Sequence, residues 1–246
     1  LVDQRDDLAL EYVTVLNLVG RHDEALDRLL ARHFHPWEGG EGKVTGQYVL
    51  SLVELARQSI GAGDERTALE LLERARHYPP TLGEGKLFGA RENNIDYYLG
   101  CAYEGLGEAE NARRSFAEAA QGAAEIAQAT YYNDQPPDMI FYQGLALQKL
   151  RQAEAADQIF HRFIAYGTEH LDDLTTIDYF AVSLPDFLVF EEDLNNRHKA
   201  HCYYMIALGA LGLGKYRQAQ AAFDRVLSLD ANHVGAMIHR KRCEGA

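Results

Sequence analysis

Tyr97-Tyr98-Leu99-Gly100-Cys101-Ala102-Tyr103-Glu104-Gly105-Leu106-Gly107 is followed directly by Glu108-Ala109-Glu110-Asn111-Ala112-Arg113-Arg114-Ser115-Phe116-Ala117-Glu118-Ala119. Small or apolar residues recur every three or four positions on both sides of Gly107, which is the spacing of one face of an α-helix. The glycine interrupts the pattern and the pattern resumes at once, so the stretch reads as two short amphipathic helices joined by a tight turn. The same arrangement returns along the chain. Gly20 is followed by Ala25 and Leu29, Gly63 by Ala68, Leu72 and Ala75, and Gly214 by Ala219 and Phe223, while a degenerate copy places Arg151 in the turn before Ala156 and Phe160. In each copy the small residue stands five positions after the turn and the large one nine after it. Gly100 and Gly144 stand seven before their turns. The expected packing is small residue against small residue within a pair, with the large residue filling the gap to the next pair.

The segments from Tyr97 to Ala119 and from Ala207 to Asp230 resemble tetratricopeptide repeats, and Pro80 falls where that family often ends its second helix. The resemblance covers about five helical pairs and most of the chain. It implies an all-α fold, an α-solenoid of TPR-like antiparallel helix pairs with long inter-repeat loops. The expected layout is a single right-handed superhelical domain over 1–246. Its pairs fall near 3–32, 44–77, 92–121, 138–166 and 198–228, with a final capping helix over 231–242. The period departs from the family. The turns at 20, 63, 107, 151 and 214 are separated by 43, 44, 44 and 63 residues, against a family repeat of about 34. The extra residues form extended junction loops, where binding function concentrates in solenoids.

The junctions carry a repeat of their own. Arg32-His33-Phe34-His35-Pro36 echoes Arg76-His77-Tyr78-Pro79-Pro80, and Gly40-Glu41-Gly42-Lys43 returns as Gly83-Glu84-Gly85-Lys86. The duplicated unit is therefore about 43 residues, with both loops in one register. Together with Tyr131 through Asp138 and Asp178 through Asn195, these features resemble the C-terminal tetratricopeptide region of bacterial proteins that carry an uncharacterised, mutarotase-like β-sandwich domain. That resemblance implies a carbohydrate connection for the whole protein. The chain opens at Leu1, in what reads as a helix, and is expected to be cut from a longer protein.

Composition excludes several classes. The formal net charge of −13 repels nucleic-acid phosphates and anionic membrane surfaces, so neither is an expected partner. His239-Arg240-Lys241-Arg242 is the one basic cluster, and it reads as a cationic helix end complementing the helix dipole. No apolar run reaches the roughly 18 residues that span a bilayer. Cys101, Cys202 and Cys243 form no C-x-x-C pair, and this usage fits a reducing, cytoplasmic location.

The G-E-G-K loops lack the strand, the first glycine and the Ser/Thr of a P-loop, so their glycines read as turn formers, while Lys43 and Lys86 can point at a ligand. His33, His35, Glu38 and Glu41 have the composition of a metal site, as do His198 and His201 near Glu191, Glu192 and Asp193. Neither group shows the three or four converging ligands zinc requires, so no metal and no cofactor is expected. Ser183, Asp178 and His170 have no nucleophile-elbow sequence around the serine, and this stretch by itself is not read as an enzyme. Aromatic residues cluster in loops and at the starts of first helices. By analogy with tetratricopeptide arrays, Asn94, Tyr97, Asp138, Phe141, His201 and Tyr204 are expected on a shared concave face. Trp37, Lys43, Lys86, Asn133 and Asp134 complete the expected ligand-binding set from the loops. The function expected is an interaction scaffold holding a protein, a peptide or its own N-terminal domain. The alternative is a carbohydrate-associated protein whose loops complete a sugar site. The aromatic segment from Tyr179 to Asn195 reads equally as interdomain packing or as ligand contact.

Overall fold

The structure is a computed structural model that describes residues 2, 5–37, 40–86, 90–126, 136–174 and 193–244. Among the described residues there are eleven α-helices and no strand. They are α1 (Asp6–Leu18), α2 (His22–Leu30), α3 (Lys43–Gly61), α4 (Glu65–Ala75), α5 (Asn93–Gly105), α6 (Ala109–Ala119), α7 (Pro137–Lys149), α8 (Ala153–Glu169), α9 (Leu194–Gly212), α10 (Tyr216–Leu229) and α11 (Val234–Arg240). Two 3-10 turns, Pro80–Leu82 and Lys241–Cys243, complete the regular structure. The fold is all-α and built from antiparallel helical pairs.

Each pair is closed by the same backbone device. Gly20, Gly63, Gly107 and Gly214 have φ between 71° and 81°, and Arg151 in the degenerate copy has φ 61°. The residue after each turn donates its N–H to the carbonyl five positions earlier. These bonds run from Arg21 to Leu16, Asp64 to Ser59, Glu108 to Tyr103, Gln152 to Leu147 and Lys215 to Ala210, at 2.8 or 2.9 Å. That bond and the left-handed residue inside it are a Schellman closure, which satisfies a carbonyl the ending helix would leave unpaired. Glycine takes this conformation without the Cβ clash that arginine meets.

The residues named by the repeat are buried. Ala25, Ala68, Ala112, Ala156 and Ala219 are in the core, as are Leu29, Leu72, Phe116, Phe160 and Phe223. The nearest neighbours of the glycines before the turn are aromatic rings. A Cβ on Gly100 would lie 2.5 Å from the Phe116 ring, and one on Gly144 would lie 2.6 Å from the Phe160 ring. The small residue before the turn therefore receives the aromatic nine after it, because only the longer side chain spans the gap between two helix axes. Phe160 also lies against Gly212 of α9, so one ring serves its own pair and the next.

The chain divides into two compact units, Leu1–Ala119 and Ala120–Ala246. In the first, α1 packs on α3 and α3 on α5, while α2 meets α3 and α4 meets α5. In the second, α7 and α8 both pack on α9, and α10 packs between α9 and α11. Each unit is thus a consecutive stack, with first helices in contact with one another. A polar network fixes the register of the first stack. Buried Asn17 receives His22 Nδ1 at 2.8 Å and the Ser51 hydroxyl at 3.0 Å, and it donates to Gln47 Oε1 at 2.8 Å. The α8–α9 contact is a close one. A Cβ on Gly209 would stand 2.5 Å from the Phe160 carbonyl oxygen, a backbone atom that cannot turn aside.

Two substitutions test these points. Gly209→Ala is expected to destabilise the second unit by about 2–3 kcal/mol, the cost of overpacking a rigid contact, measured by urea denaturation. Arg151→Gly is expected to stabilise it by about 1 kcal/mol by relieving the left-handed strain. An unchanged or lower midpoint for Arg151→Gly would contradict the closure described.

Candidate functional site

The duplicated junctions of the first unit meet each other. The Phe34 N–H donates to the Thr81 carbonyl at 2.8 Å, and a Cβ on Gly83 would lie 2.5 Å from the Phe34 carbonyl. Glu84 of the second loop reaches the first, where its Oε2 accepts the Gly42 N–H at 2.8 Å and the Thr45 hydroxyl at 3.4 Å. This carboxylate sits at the N-terminus of α3, where the helix dipole favours negative charge. It also answers the phosphate-loop reading, since an anion at that helix end would meet a carboxylate already in place.

The two G-E-G-K segments are identical in sequence and differ in conformation. In the first, Gly42 has φ 75° and directly precedes α3, so Lys43 opens the helix and is exposed. In the second, Gly83 has φ 79° and closes the 3-10 turn, leaving Lys86 well ahead of α5. Lys86 Nζ pairs with Glu92 Oε1 at 2.5 Å and donates to the Arg76 carbonyl at 3.4 Å. Trp37 is half-buried, with its indole against Gly40, where any Cβ would collide with the ring. Trp37 and Lys43 thus flank the turn ahead of α3, and Lys86 lies ahead of α5. Asn94 and Tyr97 stand on α5 and are half-buried. Asn94 accepts the Ile95 N–H at 2.9 Å, and the Tyr97 ring meets Tyr98 at 5.4 Å and Phe116 at 5.9 Å.

A charged cluster lies behind this edge. The Arg76 guanidinium pairs with Asp96. Burial pushes the Asp96 carboxyl up to about 6 against the pull of Arg76, with Glu92 adding to the rise. In the junction of the first copy, Asp6 takes the Arg32 Nε–H at 2.6 Å and the His35 N–H at 2.9 Å, with His35 Nδ1 at 3.1 Å. The histidine-rich loop is thus tied down by hydrogen bonds.

In the second unit the structure brings Asp138, Phe141 and Tyr204 together, beneath α11. The Tyr204 hydroxyl donates to Asp138 Oδ1 at 2.6 Å, and His239 Nε2 lies 3.7 Å from Asp138 Oδ2. The Phe141 ring meets His239 at 5.1 Å, and Arg242 lies over Phe141 and Tyr142. Gly235 lets α11 approach, since a Cβ there would strike the Tyr204 hydroxyl. Burial works to raise the Asp138 carboxyl, but the hydrogen bond and charge of His239, aided by the Tyr204 hydroxyl, hold it below its usual value. Burial and the neighbouring Asp138 drive the Tyr204 hydroxyl well above its own. Phe141 and Tyr204 are buried contacts of the C-terminal helix, and Asp138 is half-buried. His201 is set apart, with its ring 6.4 Å from Tyr166 of α8. His233, Gly235, His239 and Arg242 complete this cluster. His239 and Arg240 stand in the last turn of α11, where the helix dipole favours positive charge; Arg240 is half-buried and paired with Asp224 and Glu244, and Lys241 is exposed.

Asn133 and Asp134 lie outside the described residues, as do Glu38, Tyr131, Tyr132, Asp178, Ser183, Glu191 and Glu192. His170 Nδ1 lies 2.7 Å from Asp173, and buried His198 meets the His170 carbonyl at 2.6 Å. Among the described residues no group of three or more His, Cys, Asp or Glu side chains could hold a metal ion. Among them, too, no helix is long and apolar enough to cross a membrane. Burial, and then Asp173, push the Cys202 thiol up to about 11, which keeps it protonated and unreactive.

Residues 200–233 match the tetratricopeptide repeat family. The matched stretch covers most of α9, all of α10 and the approach to α11, the copy in which the paired-helix pattern is followed without an insert. Among solved structures the chain is similar to a Podosopora anserina protein described as kinesin light chain nearly identical TPR-like repeats. The identity is 16%, 90% of this chain and 93% of that one are covered, and the TM-score is 0.34, a likeness too slight to place any helix of this chain.

Two measurements check the site geometry. The Asp96 carboxyl is expected to titrate near about 6 by NMR. Because that lies above its ordinary 3.8, stability is full below the ordinary value and declines as pH rises through about 6. Asp96→Asn should flatten that part of the pH–stability curve. Tyr204→Phe is expected to cost about 1–2 kcal/mol, leaving the Asp138 carboxylate without its hydroxyl donor.

Proposed function

We propose that this chain is a binding scaffold that holds a protein or peptide partner, or an N-terminal domain of its own polypeptide, along the loop edge of its first unit. The observation that carries this reading is the Gly42–Glu84 hydrogen bond, which ties the two duplicated loops into one built edge. An edge held in this way presents half-buried Trp37 and exposed Lys43 without drawing on the stacked core. The match of residues 200–233 to a repeat family that generally mediates protein–protein interaction supports the same reading. A net charge of −13 favours a basic partner, with affinity that falls as salt rises.

A carbohydrate is the second reading. It is supported by the half-buried Trp37 and Tyr97, aromatic side chains of the kind on which sugars stack. A mutarotase-like sandwich upstream would belong to that reading.

Trp37 is the only tryptophan in the chain, so its emission reports on the loop edge directly. Peptides selected against the purified chain from a random library are expected to shift that emission saturably. Glu84→Ala should weaken them about tenfold while the helical content stays intact, the scale of about 1.4 kcal/mol. Saturable shifts with monosaccharides and none with peptides would favour the second reading. Selected ligands that bind tightly yet leave Trp37 unmoved would place the working surface elsewhere.

A further inference from the structure

The C-terminal helix α11 is seven residues long, too short to hold itself together in water. Its position depends on tertiary contacts, those of Gly235 and buried Ala236 and those at its two ends. At the C-terminal end, His239 is buried beside Asp138, Phe141 and Tyr142. At the N-terminal end, the capping residue is His233, whose Nδ1 accepts the Ala236 N–H at 3.1 Å. The His233 ring also lies on the Tyr204 ring, with centroids 4.5 Å apart.

A histidine cap differs from the usual Ser, Asp or Asn cap in one chemical respect. Nδ1 can accept only while the ring is neutral and its proton is on Nε2. Taking up a proton from solvent turns Nδ1 into a donor, which removes the acceptor from the Ala236 N–H. It also puts a positive charge at the positive end of the helix dipole. We propose that His233 is a pH-sensing cap, and that its protonation undocks α11 and uncovers the face formed by Asp138, Phe141, Tyr142 and Tyr204.

The groups facing His233 are Asp138 of α7, Tyr204 of α9, Asp230 at the end of α10 and His239 of α11. The two carboxylates favour the charged ring, while burial and His239 oppose it. Burial is the largest influence and holds the His233 pKa below its ordinary value. With a folded value below 6.5, the contribution of the cap is complete above 6.5 and is lost as pH falls below it. His239 works in the opposite sense. Its protonation strengthens the pairing with Asp138, so it masks part of the release.

The test is amide hydrogen exchange of residues 236–241 in the full chain at about pH 7.5 and about pH 5, corrected for the intrinsic pH dependence. Protection there is expected to fall about fivefold or more on acidification, the scale of losing one helix cap, while α9 and α10 remain protected. In His239→Gln the fall should be larger. His233→Asn and His233→Ser cap without titrating in this range, and in the variant that keeps wild-type protection at pH 7.5 the fall should vanish. The His233 ring should titrate below 6.5 by NMR, in step with the loss. Flat protection in the wild-type chain would overturn the proposal. So would an undiminished fall in both cap variants, or loss of protection spread equally over α9 and α10.

Discussion

Five times along this chain a backbone N–H reaches back five residues to a carbonyl, across a residue held in the left-handed region. Every helical pair takes its angle from that closure. It ends one helix without stranding its last carbonyls and starts the next after three residues, so the two apolar faces meet at once. Side chains then complete what the backbone has set, and in two pairs the ring nine positions after the turn, Phe116 or Phe160, lies on the glycine seven before it. The device tolerates one poor residue. Arg151 takes the same conformation because the pairing of α7 with α8, and of both with α9, holds it there.

A stack made in this way leaves its junctions free to vary, and the first unit shows what the duplicated junctions became. They lie on one another, joined by the Phe34–Thr81 and Gly42–Glu84 bonds. Identical tetrapeptides came to do different work. One caps a helix through its third residue, and the other closes a 3-10 turn through its first. The difference arises because Lys43 opens α3 at once, whereas further chain lies between Lys86 and α5. The charged pairs behind the loops, Arg76 with Asp96 and Lys86 with Glu92, hold the edge in place.

The second unit resolves a different problem, the open end of a stack. Its last pair would leave an aromatic face in water, and α11 covers it with two histidines and an arginine set against Asp138, Tyr142 and Tyr204. A polar cover is weaker than an apolar one and more responsive to solution conditions, because its contacts depend on protonation state. Asp138, Phe141 and Tyr204, which the analogy with tetratricopeptide arrays assigns to a ligand groove, therefore contact another part of the same chain.

The sequence by itself determined the helical pairs, because a turn glycine, an alanine five later and a large apolar residue nine later are local signals with a fixed period. It also determined that the junctions are duplicated. It could not determine which small residue meets which ring, because the distance between helix axes decides that, and so the Phe116 ring comes to lie on Gly100. Tertiary structure alone divided the stack into two compact units at Ala119 and Ala120. It also joined Glu84 to Gly42 and brought His233 and His239 to Asp138, far away in the chain. Those contacts carry no periodic signal. Each pairs polar groups that are distant in sequence, and only the folded stack brings them within hydrogen-bonding reach.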